Sequence, residues 1–193
     1  MGLVVFPSPL ETDLSSRHPM ISDRDIAGKI KCILTDVDGV LSDGKLYYDS
    51  TGAETKTFHV RDGYGIKAWM NAGLHFGIIT ARHSDALTRR AKELGIEHVV
   101  QNSADKWQSA TDMMSAMKVT PDEVCYIGDD VPDIMVMCRV GLAAAPDDAS
   151  IDAREAAHWI TRLPGGSGAV RELIERLMRA GKNWPTLSKE PPC

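Results

Sequence analysis

Two short acidic clusters carry the chemistry of this chain. Asp36-Val37-Asp38-Gly39 puts two carboxylates two residues apart, directly after an apolar run. In an extended segment residues i and i+2 point the same way, so Asp36 and Asp38 should converge just past the end of a strand. Like charges that close repel and need a cation or a shared proton. A hard divalent ion with oxygen ligands, such as Mg²⁺, fits best. The second cluster, Gly128-Asp129-Asp130-Val131-Pro132-Asp133, also follows an apolar run. Either cluster alone reads as an acidic turn or a helix cap. Two of them at the ends of neighbouring parallel strands would share one sheet edge and form one metal site.

Two further segments supply complementary groups. Ile79-Thr80-Ala81-Arg82 offers a hydroxyl, backbone N–H groups and a guanidinium, and Ala104-Asp105-Lys106 places an ammonium at the start of a helix. Helix starts attract anions. Taken singly, Thr80 reads as a cap and Lys106 as a solvated lysine; their joint position raises them above that.

The elements that must hold these groups are legible as alternation. Short apolar runs at Cys32-Ile33-Leu34, Phe76–Ile79, Val99-Val100, Val124–Ile127 and Val140–Ala143 suit parallel strands buried on both faces. Between them apolar residues recur at helical spacing: Trp107, Ala110, Met114 and Met117, and later Val170, Leu173, Ile174, Leu177 and Met178. Ser84 and Gly95 read as the N-cap and C-cap of a helix carrying Leu87, Ala91 and Leu94. The pattern predicts an α/β fold with a doubly wound parallel sheet. Lys45–Tyr48 and Thr55–His59 flank Asp49-Ser50-Thr51-Gly52 and predict a β-hairpin inserted after the first strand, placed as a flap over the ligand crevice. The expected organisation is a poorly ordered extension over 1–24, one domain over 25–182 and a flexible tail over 183–193.

Composition narrows the partners. The chain has 193 residues and a formal net charge of −5, which argues against a dedicated nucleic-acid binder. No apolar run approaches the roughly 20 residues of a membrane span, and the opening Gly2–Phe6 run makes a poor signal peptide. Cys32, Cys125, Cys138 and Cys193 lack any C-x-x-C spacing, which favours reduced thiols in a cytoplasm. The histidines show no mutual ligand spacing for zinc.

In order, D-x-D-G, Thr80, Lys106 and G-D-D-x-x-D resemble the four motifs of the haloacid dehalogenase (HAD) superfamily of phosphohydrolases, over roughly Ile30 to Arg179. The resemblance implies a Rossmann-like core in which Asp36 is the nucleophile and forms an aspartyl-phosphate. It makes Asp38 the general acid and base, with its backbone carbonyl on the metal. Thr80 and Lys106 would hold phosphoryl oxygens, and Asp129 would ligate Mg²⁺ with Asp130 and Asp133 in support. The metal set implied is therefore Asp36, Asp38 and Asp129.

Within that superfamily Asp36–Gly44, His59–Lys67 and the glycine-rich Thr161–Glu172 resemble phosphatases of 3-deoxy-D-manno-octulosonate 8-phosphate (KDO 8-phosphate). Such enzymes lack a large cap domain and are typically homotetramers in which one subunit helps close a neighbour's site. The resemblance implies sugar-phosphate contacts from His59, Val60, Arg61, Asp62, Gly63, Lys67, Arg82, Arg90 and Lys106. A guanidinium grips a carboxylate or a phosphate with two hydrogen bonds, which suits an acidic sugar phosphate. Lys67 stands where this branch usually has Arg, Ser167 replaces the Arg of Gly-Gly-Arg-Gly, and Pro132-Asp133-Ile134-Met135 replaces Ile-Asp-Trp-Pro. With Glu54-Thr55-Lys56, Lys67 is similar to phosphatases of nonulosonate 9-phosphates (sialic acid or KDN 9-phosphate), the alternative substrates. An alternative of another class is a catalytically idle binding or oligomerisation module, against which every motif residue is intact.

Overall fold

The computed structural model describes residues 22–185. In chain order the elements are α1 (Asp23–Lys29), β1 (Cys32–Thr35), β2 (Tyr47–Tyr48), β3 (Glu54–Thr55), α2 (Val60–Asn71), β4 (His75–Ile79), α3 (Asp85–Leu94), β5 (His98–Val100), α4 (Lys106–Met117), β6 (Val124–Ile127), α5 (Val131–Met137), β7 (Leu142–Ala145), α6 (Ile151–Ala156), β8 (Trp159–Ile160) and α7 (Ala169–Ala180). Six strands form one sheet in the order β5-β4-β1-β6-β7-β8, every pair parallel. Strands β2 and β3 form a separate antiparallel hairpin. The order runs outward from β1 in both directions, the doubly wound arrangement expected from the alternation.

Successive residues of a strand face opposite sides of a sheet. Ile33 accordingly joins a core with Ile66, Trp69, Leu87, Leu173 and Ile174 from α2, α3 and α7. Cys32 and Leu34 face the other core, with Ala110, Met113, Met114 and Met137 from α4 and α5. Both faces are therefore covered, and β1 is buried throughout. The five apolar residues expected along α7 are all buried. Ser84 caps α3 by accepting from the Leu87 N–H, and Gly95 closes it at φ 78°.

Two points differ from the expectation. The run at Val140–Ala143 becomes a strand two residues later, at Leu142–Ala145, because the Gly141 N–H donates to the Pro121 carbonyl instead of to a neighbouring strand. Strand β8 was not expected; two residues carry no periodicity, and only pairing with β7 defines them. Residues 1–21 and 186–193, most of the expected extension and tail, lie outside the described residues. Ser22, however, caps α1, and Asp23 accepts two hydrogen bonds from Arg176. Trp184 packs against the Arg171 guanidinium, 4.4 Å from its ring centroid.

Candidate active site

The C-terminal ends of β1, β4 and β6 place the acidic and basic groups in one cleft. Asp36 follows β1, and its N–H donates to the Ile127 carbonyl of β6, so the chain leaves the strand in register. Gly39 then turns the loop at φ 83°, where a Cβ would collide with the Asp129 carboxylate. The glycine-rich segment before α7 packs on this loop: the Gly166 N–H donates to the Val40 carbonyl, and a Cβ on Gly165 would strike the Gly39 carbonyl oxygen. That contact explains the glycine pair without a phosphate.

The cleft has a volume of about 330 Å³ and is lined by Asp36, Asp38, Thr80, Arg82, Lys106, Asp129, Asp130 and Asp133, among others. Of the residues expected to act, the structure brings these eight together. Lys106, the first residue of α4, is buried and lies 2.8 Å from Asp36 Oδ2 and 2.7 Å from Asp133 Oδ1. Burial opposes its charge, but the Asp36 and Asp133 carboxylates outweigh that and raise its pKa. Thr80 is buried at the end of β4, and its Oγ accepts from the Arg82 N–H.

Asp133 organises the second acidic loop. Its Oδ1 accepts from Lys106 and from the Tyr126 hydroxyl at 2.6 Å, and its Oδ2 accepts from the Asp129 and Asp130 N–H groups. All its donors come from the protein, and through them Asp133 ties the acidic loop to α4 and β6. Asp130 is exposed and caps α5.

Asp36, Asp129 and Asp133 each present a carboxylate oxygen within 4.8 Å of the others. Asp36 Oδ1 is buried without a hydrogen-bond partner. Burial, then the neighbouring Asp133, pushes the Asp36 pKa up to about 6. Burial, then Asp36 and Asp133, pushes Asp129 up to about 7. Five carboxylates face only two cations in this cleft. An orphaned oxygen beside crowded acids is what a hard divalent cation relieves, so the residues fit Mg²⁺. With Asp133 fully engaged, the free side-chain donors for an ion are Asp36 and Asp129; the Asp38 side chain points elsewhere. Its Oδ1 pairs with Lys56 and accepts from Ser42 at 3.2 Å, and its Oδ2 lies 3.9 Å from Arg82 Nε. The resemblance gives Asp38 a place on the metal through its backbone carbonyl; its side chain is held at Oδ1 by Lys56 and Ser42.

The remaining expected contacts lie elsewhere. His59 caps α2. Asp62 is buried, and its Oδ1 accepts from the Arg171 N–H at 2.7 Å, so it caps α7. His59, Asp62, Gly63 and Arg90 line a small separate cavity, with Arg90 filling the space where a Gly63 Cβ would sit. Val60 is exposed. Arg61 lines a cleft of about 700 Å³ along α7, and Lys67 lines a third near Asn183. None of these lines the acidic cleft of its own chain. Two residues noted in the sequence only for the nonulosonate resemblance, and given no site role there, contact groups that line it: Lys56, pinned to Asp38, and Glu54, whose Oε2 accepts from Arg82 at 2.8 Å. Their signal was the hairpin itself: Glu54 opens its second strand, and Lys56 directly follows that strand.

Comparison with known proteins agrees with this geometry. Residues 96–173 match the haloacid dehalogenase-like hydrolase family. The chain is 42% identical over 154 residues to the 3-deoxy-D-manno-octulosonate 8-phosphate phosphatase KdsC of Yersinia pestis, covering 80% of this chain and 82% of that protein. A crystal structure of the Yersinia pestis phosphatase superposes with a TM-score of 0.81 at 40% identity, covering 83% of this chain and 86% of that one. The Moraxella catarrhalis phosphatase, solved with a magnesium ion, a phosphate ion and KDO, superposes with a TM-score of 0.82 at 38% identity, covering 86% and 95% of the two chains. The chain belongs to the haloacid dehalogenase-like hydrolases, among the 3-deoxy-D-manno-octulosonate 8-phosphate phosphatases.

Proposed function

We propose that this chain hydrolyses KDO 8-phosphate to KDO and phosphate in a Mg²⁺-dependent reaction through an aspartyl-phosphate. One observation carries the reading: Asp36, a buried carboxylate with one orphaned oxygen, sits against Lys106 in a cleft shared with Asp38 and Asp129. The relatives' printed names supply the substrate and the metal.

In the first half-reaction Asp36 attacks phosphorus. The Asp36 O–P bond forms, the sugar O–P bond breaks, and a proton on Asp38 passes to the departing sugar oxygen. In the second, a water oxygen bonds to phosphorus, the Asp36 O–P bond breaks, and the water proton returns to Asp38. A carboxylate nucleophile thus divides one difficult step into two. Lys106 and the Thr80 hydroxyl hold phosphoryl oxygens, and Arg82 meets the anionic sugar. Asp36, Asp129 and the Asp38 carbonyl would hold Mg²⁺, with Asp130 and Asp133 shaping their loop. When bound, Mg²⁺ neutralises charge on the phosphoryl oxygens and lets one anion approach another.

His59 to Gly63, Lys67 and Arg90 belong to the sugar side of the reading. Arg61 and Lys67 are exposed and lie outside the cleft, which supports a homotetramer in which α2 of one copy serves another copy's cleft. The free thiols Cys32, Cys125 and Cys138 suit a reducing cytoplasm. Among the described residues no helix is long and apolar enough to cross a membrane.

Purified protein with Mg²⁺ should release phosphate from KDO 8-phosphate. Asp36→Asn should lower that rate by at least about 10⁴-fold, the scale of losing a nucleophile. Turnover surviving this change would refute the mechanism. Sedimentation at one subunit's mass would refute the tetramer.

A further inference from the structure

The flap folds back over the cleft of its own chain through a closed ring of charges. Lys56, one residue beyond β3, pairs with Asp38 Oδ1 and lies 3.8 Å from Glu54 Oε1. Glu54 Oε2 accepts from Arg82 at 2.8 Å, and Arg82 Nε returns to within 3.9 Å of Asp38 Oδ2. The Lys56 side chain is only 5% exposed. A buried ammonium is costly unless paired, so this is not the loose surface bridge that a lysine on a hairpin usually makes.

The ring treats the two oxygens of Asp38 differently. Oδ1 is held by Lys56 and by the Ser42 hydroxyl. Oδ2 is buried and has no hydrogen-bond partner. A carboxylate clamped through one oxygen keeps a single rotamer, and its other oxygen stays free to take and give a proton. General acid–base catalysis depends on such placement within hydrogen-bond reach.

We propose that Lys56 is a positioning residue for the acid–base step: from the flap it fixes Asp38 through Oδ1 and leaves Oδ2 as the oxygen that carries the proton. Docking of the flap and assembly of the acid–base group are then one event. The inference rests on the phosphatase reading above. It adds that the proton passes between Oδ2 and the sugar oxygen on phosphorylation, and between water and Oδ2 on hydrolysis of the aspartyl-phosphate.

The test compares leaving groups. The sugar alkoxide of KDO 8-phosphate needs a proton to depart; the p-nitrophenolate of p-nitrophenyl phosphate does not. The ratio kcat/KM reports only the steps through release of that group, so it isolates the acid role. Lys56→Met should lower kcat/KM for KDO 8-phosphate by about 10- to 100-fold, the scale of a misplaced catalytic group, and for the aryl phosphate by less than about threefold. Lys56→Arg should restore most of the loss, and Asp38→Asn should show the same preference more strongly. Should Lys56→Met fail to fold, Lys56→Gln carries the same comparison. Equal losses on both substrates, no loss, or no rescue by Arg would overturn the assignment; equal losses seen only in KM would make Lys56 a phosphate ligand instead. Wild-type protein inert on both phosphates overturns the phosphatase reading itself, whereas an active wild type with unselective variants overturns Lys56 alone.

Discussion

The phosphate end and the sugar end of the cleft are built on different principles. At the phosphate end every group grows from a strand terminus or a helix start of the central sheet. Asp36, Thr80, Lys106, Asp129 and Asp133 are bound to one another or to backbone, and all but Asp129 are buried. At the sugar end the groups come from α2 and its cap, from α3 and from the segment after β4, and all but Arg82 lie outside the cleft. Phosphoryl transfer asks for fixed charges and fixed distances, which a sheet edge supplies. Sugar recognition is left to parts that a second copy or a moving flap can complete.

If that contrast is right, damage at the phosphate end should cost both folding and chemistry. Lys106→Met removes the one cation between Asp36 and Asp133, both buried carboxylates. Breaking a buried pair from one side costs about 3–5 kcal/mol. Urea unfolding without metal should show a loss of that order, and phosphate release should fall by about 10³-fold or more, as for a lost charge stabiliser of the reacting group. A loss under about 1 kcal/mol would break the contrast, because Lys106 would then be no better held than a surface lysine.

Damage at the sugar end should spare folding and raise KM. Arg61→Ala should leave urea unfolding within about 0.5 kcal/mol, as for an exposed residue. It should weaken substrate binding by about 10- to 100-fold, the worth of a charge-assisted contact. Complementation sharpens the comparison. Asp36→Asn subunits keep Arg61 but lack a nucleophile, and Arg61→Ala subunits have the reverse. Co-refolded mixtures should regain affinity if Arg61 serves a neighbouring cleft. Mixtures no better than the sum of their parts would place Arg61 on its own chain's substrate and remove the reason for a second copy.

The same contrast decides how much was legible in the sequence. The phosphate end was readable because its signals are local: Asp36, Thr80 and Asp129 each fall at or just past the end of a short apolar run, and parallel strands put those ends on one edge. The caps at Ser84 and Gly95 are equally local. The sugar end depends on contacts that no spacing announces. Lys56 meets Asp38 across 18 residues, and Asp62 meets the Arg171 N–H across 109. The dispersal of Arg61 and Lys67 did have a signal. Six residues along an α-helix turn the side chain through about 240°, so Arg61 and Lys67 leave α2 in different directions on their own chain. The resemblance to the family gives both residues a common role, which a single chain does not display.

Asp62 gives the smallest and most specific test. The resemblance placed it on the substrate, whereas here its Oδ1 caps α7 and its Oδ2 is buried without a partner. Gly168, the N-cap of α7, has no side chain to offer, so α2 supplies the acceptor. Burial pushes the Asp62 pKa from its ordinary 3.8 up to about 6, against the lowering influence of the Arg171 N–H, His59, Arg171 and Arg90. A carboxyl that ionises less readily when folded penalises the folded state wherever it must be charged. Its penalty is absent below about pH 3.8, grows as pH rises to about 6 and is constant beyond. Asp62→Asn keeps an oxygen for the Arg171 N–H and cannot ionise, so its stability relative to wild type should improve through that window and then level off. Asp62→Ala loses the cap and should cost about 1 kcal/mol at pH 5 relative to Asp62→Asn. Parallel wild-type and Asp62→Asn stability curves between pH 4 and about 6.5 would show that the carboxyl is not held in this cap, and would return Asp62 to the sugar side of the cleft.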